Sequence, residues 1–402
     1  MQALKFTISH RLDGALARVG RIETPHGSIE TPAFIPVGTK ATLKALTPEQ
    51  LTEVGAQAVL ANAYHLYLRP GHEIIDKAGG LHAFMNWDKP SFTDSGGFQV
   101  MSLGVGFKKV IDMNGTGDDN MPKKKEKLAW IDDDGVRFKS HLDGSIHRFT
   151  PELSMQIQHA IGADITFAFD ELTTLHHSYE YQVESLDRRT HPWAERSLAE
   201  HKRLNNERSH RPPQALFGVV QGANYEDLRR KSSKVLGAMD FDGYGLGGAL
   251  EKDKIGEIVR WMNEELPEEK PRHMLGISEP DDIFECIENG ADTFDCVSPA
   301  RVGRNGALYT KLGRINITRA EFKEDFRPFD ETCDCYMCQN YSRAYIHHLF
   351  RSGELLSNTL ATIHNERFII KLVDDIRQSI KNDTFYEFKQ EFLDGYYSRR
   401  PA

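Results

Sequence analysis

The chain has 402 residues, 39% hydrophobic and 10% aromatic, with a formal net charge of −9. That length suits two average domains or one large α/β barrel with an appendage, and the apolar content suffices for a sizeable core. No run of about 18 apolar residues occurs, which excludes a transmembrane helix. The start, Met1-Gln2-Ala3-Leu4-Lys5, lacks a charged-then-apolar secretory pattern. Five cysteines, three of them clustered, make no disulfide framework, so a reducing cytoplasm is the expected compartment. Cys286 and Cys296 read as small core residues.

Along the chain, short apolar runs end in polar or glycine-rich tips and are followed by helix-like stretches. They are Ala58–Asn62, Ser91–Gly97, Ile165–Asp170, Leu216–Gly222, Tyr244–Gly248, Met274–Gly276 and Thr293–Val297. Continuous apolar strands alternating with helices predict a parallel sheet covered on both faces. So many repeats without a dinucleotide fingerprint favour a (β/α)8 TIM barrel, in which reactive groups collect at the carboxyl ends of the strands. The polar tips Asn62, Asp94, Asp170, Gln221 and Asp295 occupy those ends. The stretch 104–127, rich in Gly, Asp, Asn and Lys, interrupts the pattern and reads as a mobile surface insertion. The expected division is a barrel over 1–320 and a second, cysteine-bearing subdomain with C-terminal helices over 321–402, helical from about Asn358 to Lys381.

Asp94 and Asp295 each close an apolar run in which an unpaired charge is costly. A lone Asp at a strand end commonly caps a helix, but two such tips beside Asp170 and Gln221 on one barrel face favour a site. Paired carboxylates suit substitution at an anomeric carbon, one attacking while the other manages the leaving group's proton. Ser95-Gly96-Gly97 and Gly247-Gly248 permit close backbone approach to a flat ligand, and Phe98 can stack on a heteroaromatic ring or pack in the core. The negative net charge argues only weakly against a nucleic-acid partner, because binding follows local patches. Between Val297 and Ala320, Arg301, Arg304, Lys311, Arg314 and Arg319 occur with no acidic residue, either as a solvated face or as a phosphate-binding strip.

Cys333-x-Cys335-x-x-Cys338 has the thiolate spacing of a tetrahedral zinc site. His364, His347 and His348 all lie downstream, and spacing alone leaves the fourth ligand open. A Cys3His set fills every position with protein atoms, so this zinc would be structural.

These residues together resemble the tRNA-guanine transglycosylase (queuine tRNA-ribosyltransferase) family, bacterial type. The likeness covers nearly the whole chain. It runs through Ala61-Asn62-Ala63-Tyr64-His65-Leu66-Tyr67-Leu68-Arg69-Pro70-Gly71, Thr93-Asp94-Ser95-Gly96-Gly97-Phe98-Gln99 and Ser140-His141-Leu142-Asp143-Gly144-Ser145. Phe169-Asp170-Glu171, Val220-Gln221-Gly222, Phe294-Asp295-Cys296-Val297 and Gly303-Arg304-Asn305-Gly306 continue it. The resemblance implies exchange of the wobble guanine of tRNAs with G-U-N anticodons for a 7-deazaguanine base. Asp295 would be the nucleophile and Asp94 the general acid/base. Asp170, Gln221 and the Gly248 backbone would read the base edge, Ser95 would support the site, and Phe98 and Leu275 would sandwich the ring. Arg301 and Arg304 would meet the tRNA, and one structural zinc would sit on Cys333, Cys335, Cys338 and His364. It also implies a homodimer, with Tyr341, Tyr345 and His348 at positions of contact.

Three segments depart from the family pattern: Asp170-Glu171-Leu172, Gly247-Gly248-Ala249-Leu250-Glu251-Lys252-Asp253 and Gly276-Ile277-Ser278. Ala249 would make room beside the base and Glu251 would bring a carboxylate near it. The pocket would then take a base other than, or besides, 7-aminomethyl-7-deazaguanine, with queuine the leading candidate; neutral drift with compensating loop shifts is the alternative. Rival readings are a non-catalytic partner subunit of the same family, which would have lost the nucleophile, and a barrel glycoside hydrolase. The second expects tryptophans beside the tips, and none of the four tryptophans stands there. A third rival, inserting a cyano-deazaguanine elsewhere in tRNA, needs an extra RNA-binding domain for which the chain lacks room.

Overall fold

The computed structural model describes residues 2–105 and 128–398. Most of the predicted insertion at 104–127 therefore lies outside the described residues. The chain opens with an antiparallel sheet, β1 (Lys5–Arg11), β2 (Arg18–Thr24) and β3 (Gly27–Thr31). It then enters the barrel with β4 (Ala33–Pro36), β5 (Val59–Ala61) and β6 (Ser91–Thr93). A second antiparallel sheet follows, β7 (Ala129–Asp132), β8 (Gly135–Lys139) and β9 (Ile146–Phe149), which the sequence reading did not anticipate. Five more barrel strands come next: β10 (Ile165–Phe167), β11 (Ala215–Val220), β12 (Gly243–Leu246), β13 (Arg272–Met274) and β14 (Thr293–Cys296). The hairpin β15 (Ala307–Thr310) and β16 (Gly313–Asn316) leads into the cysteine-bearing lobe.

The eight barrel strands pair in parallel in the order β4-β14-β13-β12-β11-β10-β6-β5. A parallel bridge between Val37 and Leu60 joins the two ends, so the sheet closes into a (β/α)8 barrel. All seven predicted runs fall on strands. The eighth strand, Ala33–Pro36, was missed because its run is short and ends in proline. Strand alternation sends Ala33, Ile35, Phe92, Ile165, Phe167, Phe217 and Val219 into one buried cluster. Ile22 and Ile29 of the first sheet join that cluster, so the sheet seals the amino-terminal end of the barrel.

That seal is fastened by charge as well as by apolar contact. Arg18 donates to both carboxylate oxygens of fully buried Asp292, at 2.9 and 2.6 Å, and Asp292 also accepts the Arg272 N–H. A bidentate pair whose remaining lone pairs are satisfied suits this dry position. Nearby, His26 of the β2–β3 turn and His82 stack with ring centroids 3.6 Å apart and share the carboxylate of Asp164. Nearly parallel rings cannot both aim an in-plane lone pair at one ion, so this group reads as a fastening.

The helix Leu356–Lys381 packs against β4 and β15. Its Arg377 donates to the carbonyl of Pro32 at 2.8 Å, one residue before β4. Among the described residues no helix is long and apolar enough to cross a membrane.

Candidate active site and metal centre

The carboxyl ends of the barrel strands enclose a cavity of about 560 Å³, within the usual range for small-molecule sites. Asn62, Asp94, Ser95, Phe98, Asp170, Gln221, Gly248, Leu275, Asp295 and Arg301 all line it. Every base-site and catalytic residue expected from sequence is thus brought to one place. Arg304, one turn on from Arg301 in the helix Ser298–Arg304, is half-buried and lies off the cavity. Arg314 of the basic strip is spent internally, paired with Glu279 and lying over the Tyr309 ring.

Asp295 lies within β14. Its Oδ1 accepts from His273 Nε2 at 3.1 Å and from the Gly276 N–H at 3.2 Å. His273 is fully buried on β13, and its Nδ1 lies 2.9 Å from Thr293 Oγ1. The Nε2-protonated tautomer, with the Thr293 hydroxyl donating to Nδ1, satisfies both contacts. One carboxylate oxygen is therefore fixed by two donors and Oδ2 is left to face the cavity.

Asp94 follows β6 and is held differently. Asn62 and Gln99 donate to its Oδ2, the latter at 2.8 Å, and the Ala63 N–H donates to Oδ1 at 2.8 Å. All three donors are neutral. Burial pushes its pKa up to about 6, against these hydrogen bonds and with a smaller push from Asp295. Asp170 accepts from Gln221 Nε2 at 2.6 Å, and burial lifts its pKa to about 7, with Glu171 and Asp94 adding to the rise. Two carboxyls titrating near neutrality in one cavity are what proton handling requires.

Gln221 immediately follows β11 and Gly248 follows β12. Gly248 has φ of +99°, and a Cβ there would come within 2.6 Å of Gln221 Oε1, so glycine is required. Ser95 is buried; its Oγ accepts the Gly97 N–H and its carbonyl accepts from Ser154 Oγ. Cys296 lines the cavity and is not a plain core residue. Burial pushes its thiol up to about 11, so it stays neutral beside Asp295. Leu172, Ala249, Ile277 and Ser278 line the cavity as the departures suggested. Glu251 does not: its side chain turns out to Lys254 at 3.0 Å. Lys252, with Asp282, stands in its stead on the wall. Gln99 and His273 are contacts the sequence reading missed, since nothing in their local pattern marks them.

A group that could hold a metal ion comprises Cys333, Cys335, Cys338 and His364. The three sulfurs lie 3.7, 3.5 and 3.4 Å from His364 Nδ1. A tetrahedron with bonds of about 2.3 Å to sulfur and 2.05 Å to nitrogen has an edge of about 3.6 Å, so the donors fit one ion. His364 Nε2 donates to the Tyr309 carbonyl at 2.7 Å, which fixes the tautomer and turns Nδ1 toward the sulfurs. His347 is occupied instead with the Ile317 carbonyl. The helix bearing His364 begins at Leu356, earlier than expected, so the ligand sits more than two turns inside it. Next to it, Asn365 Nδ2 donates to the carbonyls of Pro299 and Ala307, both at 3.0 Å, and its Oδ1 accepts the Tyr309 N–H.

A family model described as queuine tRNA-ribosyltransferase matches residues 13–398. Relatives carrying that name include one from Thermoanaerobacter pseudethanolicus, 48% identical over 399 residues and 98% of each chain. Another, from Caldanaerobacter subterraneus subsp. tengcongensis, is 47% identical over 403 residues and the whole of both chains. One from Staphylococcus aureus is 46% identical over 383 residues, covering 94% of this chain and 93% of its own.

Proposed function

Given that the chain belongs to the queuine tRNA-ribosyltransferase family, and so is a pentosyltransferase acting on tRNA guanine, we propose that it exchanges the wobble guanine of G-U-N anticodons through an aspartyl–ribosyl intermediate. One observation carries this reading: two carboxylates in unlike settings face one cavity, Asp295 with an open oxygen and Asp94 held by neutral donors alone. Asp295 Oδ2 attacks C1′ of the ribose, the C1′–N9 bond breaks, and protonated Asp94 gives its proton to the departing guanine. Asp94, now ionised, takes the N9 proton of the incoming deazaguanine, whose nitrogen attacks C1′ and releases Asp295. Two displacements retain the anomeric configuration.

Asp170 and Gln221 would take the donor edge of the base and the Gly248 N–H its carbonyl, with Phe98 and Leu275 on the two ring faces and Ser95 bracing the turn. The cavity beyond Ala249 supports a 7-substituted base, aminomethyl or the bulkier queuine. Arg301 and Arg304 would meet the tRNA backbone. The metal is proposed to be zinc, structural, because thiolate and imidazole fill all four positions. We also propose the division into a barrel, 1–320, and a zinc lobe, 321–402, and a cytoplasmic homodimer. Supporting the dimer, Tyr341 and Tyr345 stack at 5.3 Å, Tyr345 lies 6.5 Å from His348, and Tyr336 is half-exposed beside them. The non-catalytic-subunit reading is disfavoured by the retention of Asp94 and Asp295 in donor settings that suit their roles.

The test is exchange into a G-U-N transcript with guanine, 7-aminomethyl-7-deazaguanine and queuine supplied separately, with Asp295→Asn as the control. The variant is expected to lose about 10⁴-fold or more of activity and all covalent tRNA adduct on a denaturing gel. Exchange by Asp295→Asn within tenfold of the parent would overturn the intermediate, and the ranking of the three bases decides the pocket's substrate.

A further inference from the structure

Arg229 is fully buried, and among the described residues no carboxylate lies within ion-pair distance of it. An arginine buried without a counter-ion is costly, and hydrogen bonds to main-chain carbonyls are its compensation. Nε donates to Ala223 O at 2.7 Å, and Nη1 to Gly247 O at 2.7 Å and Val220 O at 3.2 Å. Burial pulls its pKa down to about 9, which still leaves it protonated at neutral pH.

The three carbonyls are not a random set. Val220 and Ala223 flank Gln221-Gly222 on either side, and Ala223 has a left-handed φ of +50° that the Nε contact braces. Gly247 O belongs to the same peptide unit as the Gly248 N–H. That peptide is trans, since the cis bonds are Thr31-Pro32 and Arg69-Pro70. In a planar trans peptide the C=O and N–H point in opposite directions. A carbonyl drawn back onto Arg229 therefore turns the Gly248 N–H the other way, toward the cavity that Gly248 lines. No acceptor within the described residues takes that N–H. Two further buried atoms lack partners, Arg229 Nη2 and Gln221 Oε1. Both lie against Gly248, at 2.9 and 2.6 Å from where a Cβ would stand.

We propose that Arg229 is the positioning residue of the base-reading wall: through three carbonyls it sets Gln221 and the Gly248 N–H so that the site accepts a purine-like base with a carbonyl at the six-position and refuses one without it. The inference rests on the base-reading roles proposed above. It makes Arg229, which touches no substrate, a determinant of selectivity.

The test compares guanine with 2-aminopurine, which keeps the 2-amine but lacks the carbonyl and, with it, the N1–H, as competitors of exchange in the parent, Arg229→Met and Arg229→Lys. Arg229 bears on the carbonyl alone, so it is the change of the ratio in the variants that reads its role. A site built to bond a substrate group rejects the analogue lacking it strongly, here by about 10²-fold or more in the parent. Both variants are expected to lower that ratio by about tenfold or more, with kcat at saturating guanine within about threefold of the parent, because Asp94 and Asp295 are untouched. Arg229→Lys keeps the charge but as a point donor that cannot span three carbonyls, and it serves where the methionine variant does not fold. A folded variant that keeps the parent's ratio overturns the role of Arg229 alone. A parent that does not distinguish the two bases overturns the Gly248 reading and this inference with it.

Discussion

The two functional regions of this molecule treat their polar groups in opposite ways. At the cysteine–histidine cluster itself the donors and acceptors are spent: three sulfurs and Nδ1 on one ion's volume, Nε2 on Tyr309, and the neighbouring Asn365 amide on three backbone groups. On the barrel's open face, Asp94 and Asp170 accept only from amide groups, and among the described residues one oxygen of Asp295 accepts from none. A group already compensated has nothing left to offer a substrate, so saturation marks the part that holds shape. Incomplete compensation marks the part that reacts.

That contrast can be broken from either side. Cys335→Ser should have the largest effect, leaving three donors for the ion and a buried hydroxyl among thiolates. Loss of bound metal by elemental analysis and a Tm drop of roughly 10 °C or more are expected; a variant that keeps both metal and Tm would refute a structural role. On the other face, Asp94→Asn should lower exchange by about 10²–10⁴-fold with little change in Tm, so a variant that melts instead would make Asp94 a structural residue.

Asp170 sharpens the comparison, because there function and stability should trade. Its folded pKa of about 7 lies above its unfolded value, so the folded state binds the extra proton and stability falls as pH rises from about 4 to 7. Asp170→Asn removes that burden and should raise Tm at pH 8 by about 1–3 °C, while raising the KM for guanine by about 10–100-fold. In the parent, kcat/KM for the base should climb with pH through about 7 as Asp170 ionises to accept the base's N–H groups; a profile flat from pH 6 to 8 would count against its role.

The smallest effect concerns the fastening at the barrel's far end. The hydrogen bond to Asp164 raises the pKa of His26. Burial alone would lift Asp164, but its hydrogen bonds to His26 and His82 bring it below its usual value. The His26 contribution is complete below about pH 6.5 and fades as pH rises through its folded value. That of Asp164 is complete above about pH 4 and fades as pH falls. His26→Ala should therefore lower Tm by about 1–2 °C at pH 6 and by less at pH 8.5; a larger loss at pH 8.5 would reverse the assignment.

The cavity-bearing face was legible in the sequence because barrel strands are short apolar runs and a charge at the end of one stands out. Asp94, Asp170 and Asp295 are visible for that reason. His273 was not, since β13 carries Arg272 and His273 in the midst of the barrel, and their burial is tolerated only by partners remote in sequence. Arg229 was hidden in a different way: on the helix Glu226–Gly237 it looks like its neighbour Arg230, which pairs with surface acids. Cysteine spacing gave three ligands and left the fourth open; the family resemblance pointed to His364, and the Tyr309 carbonyl supplies the physical reason, since it turns Nδ1 of His364 toward the sulfurs while His347 is held by Ile317. The Glu251–Lys252 exchange at the cavity wall was illegible because one residue of loop geometry decides which side chain turns inward.

The helix Leu356–Lys381 covers the first barrel strand, and its Arg377 bonds to a carbonyl 345 residues earlier in the chain. On the ribosome, then, β4 waits through synthesis of the other seven strands and the whole cysteine lobe before its cover emerges. A nascent chain stalled before Lys381 presents an uncovered apolar strand at the barrel seam, the kind of surface chaperones bind. The same helix carries His364 of the cysteine–histidine cluster, so the cover of β4 and that cluster are completed by one late-emerging segment.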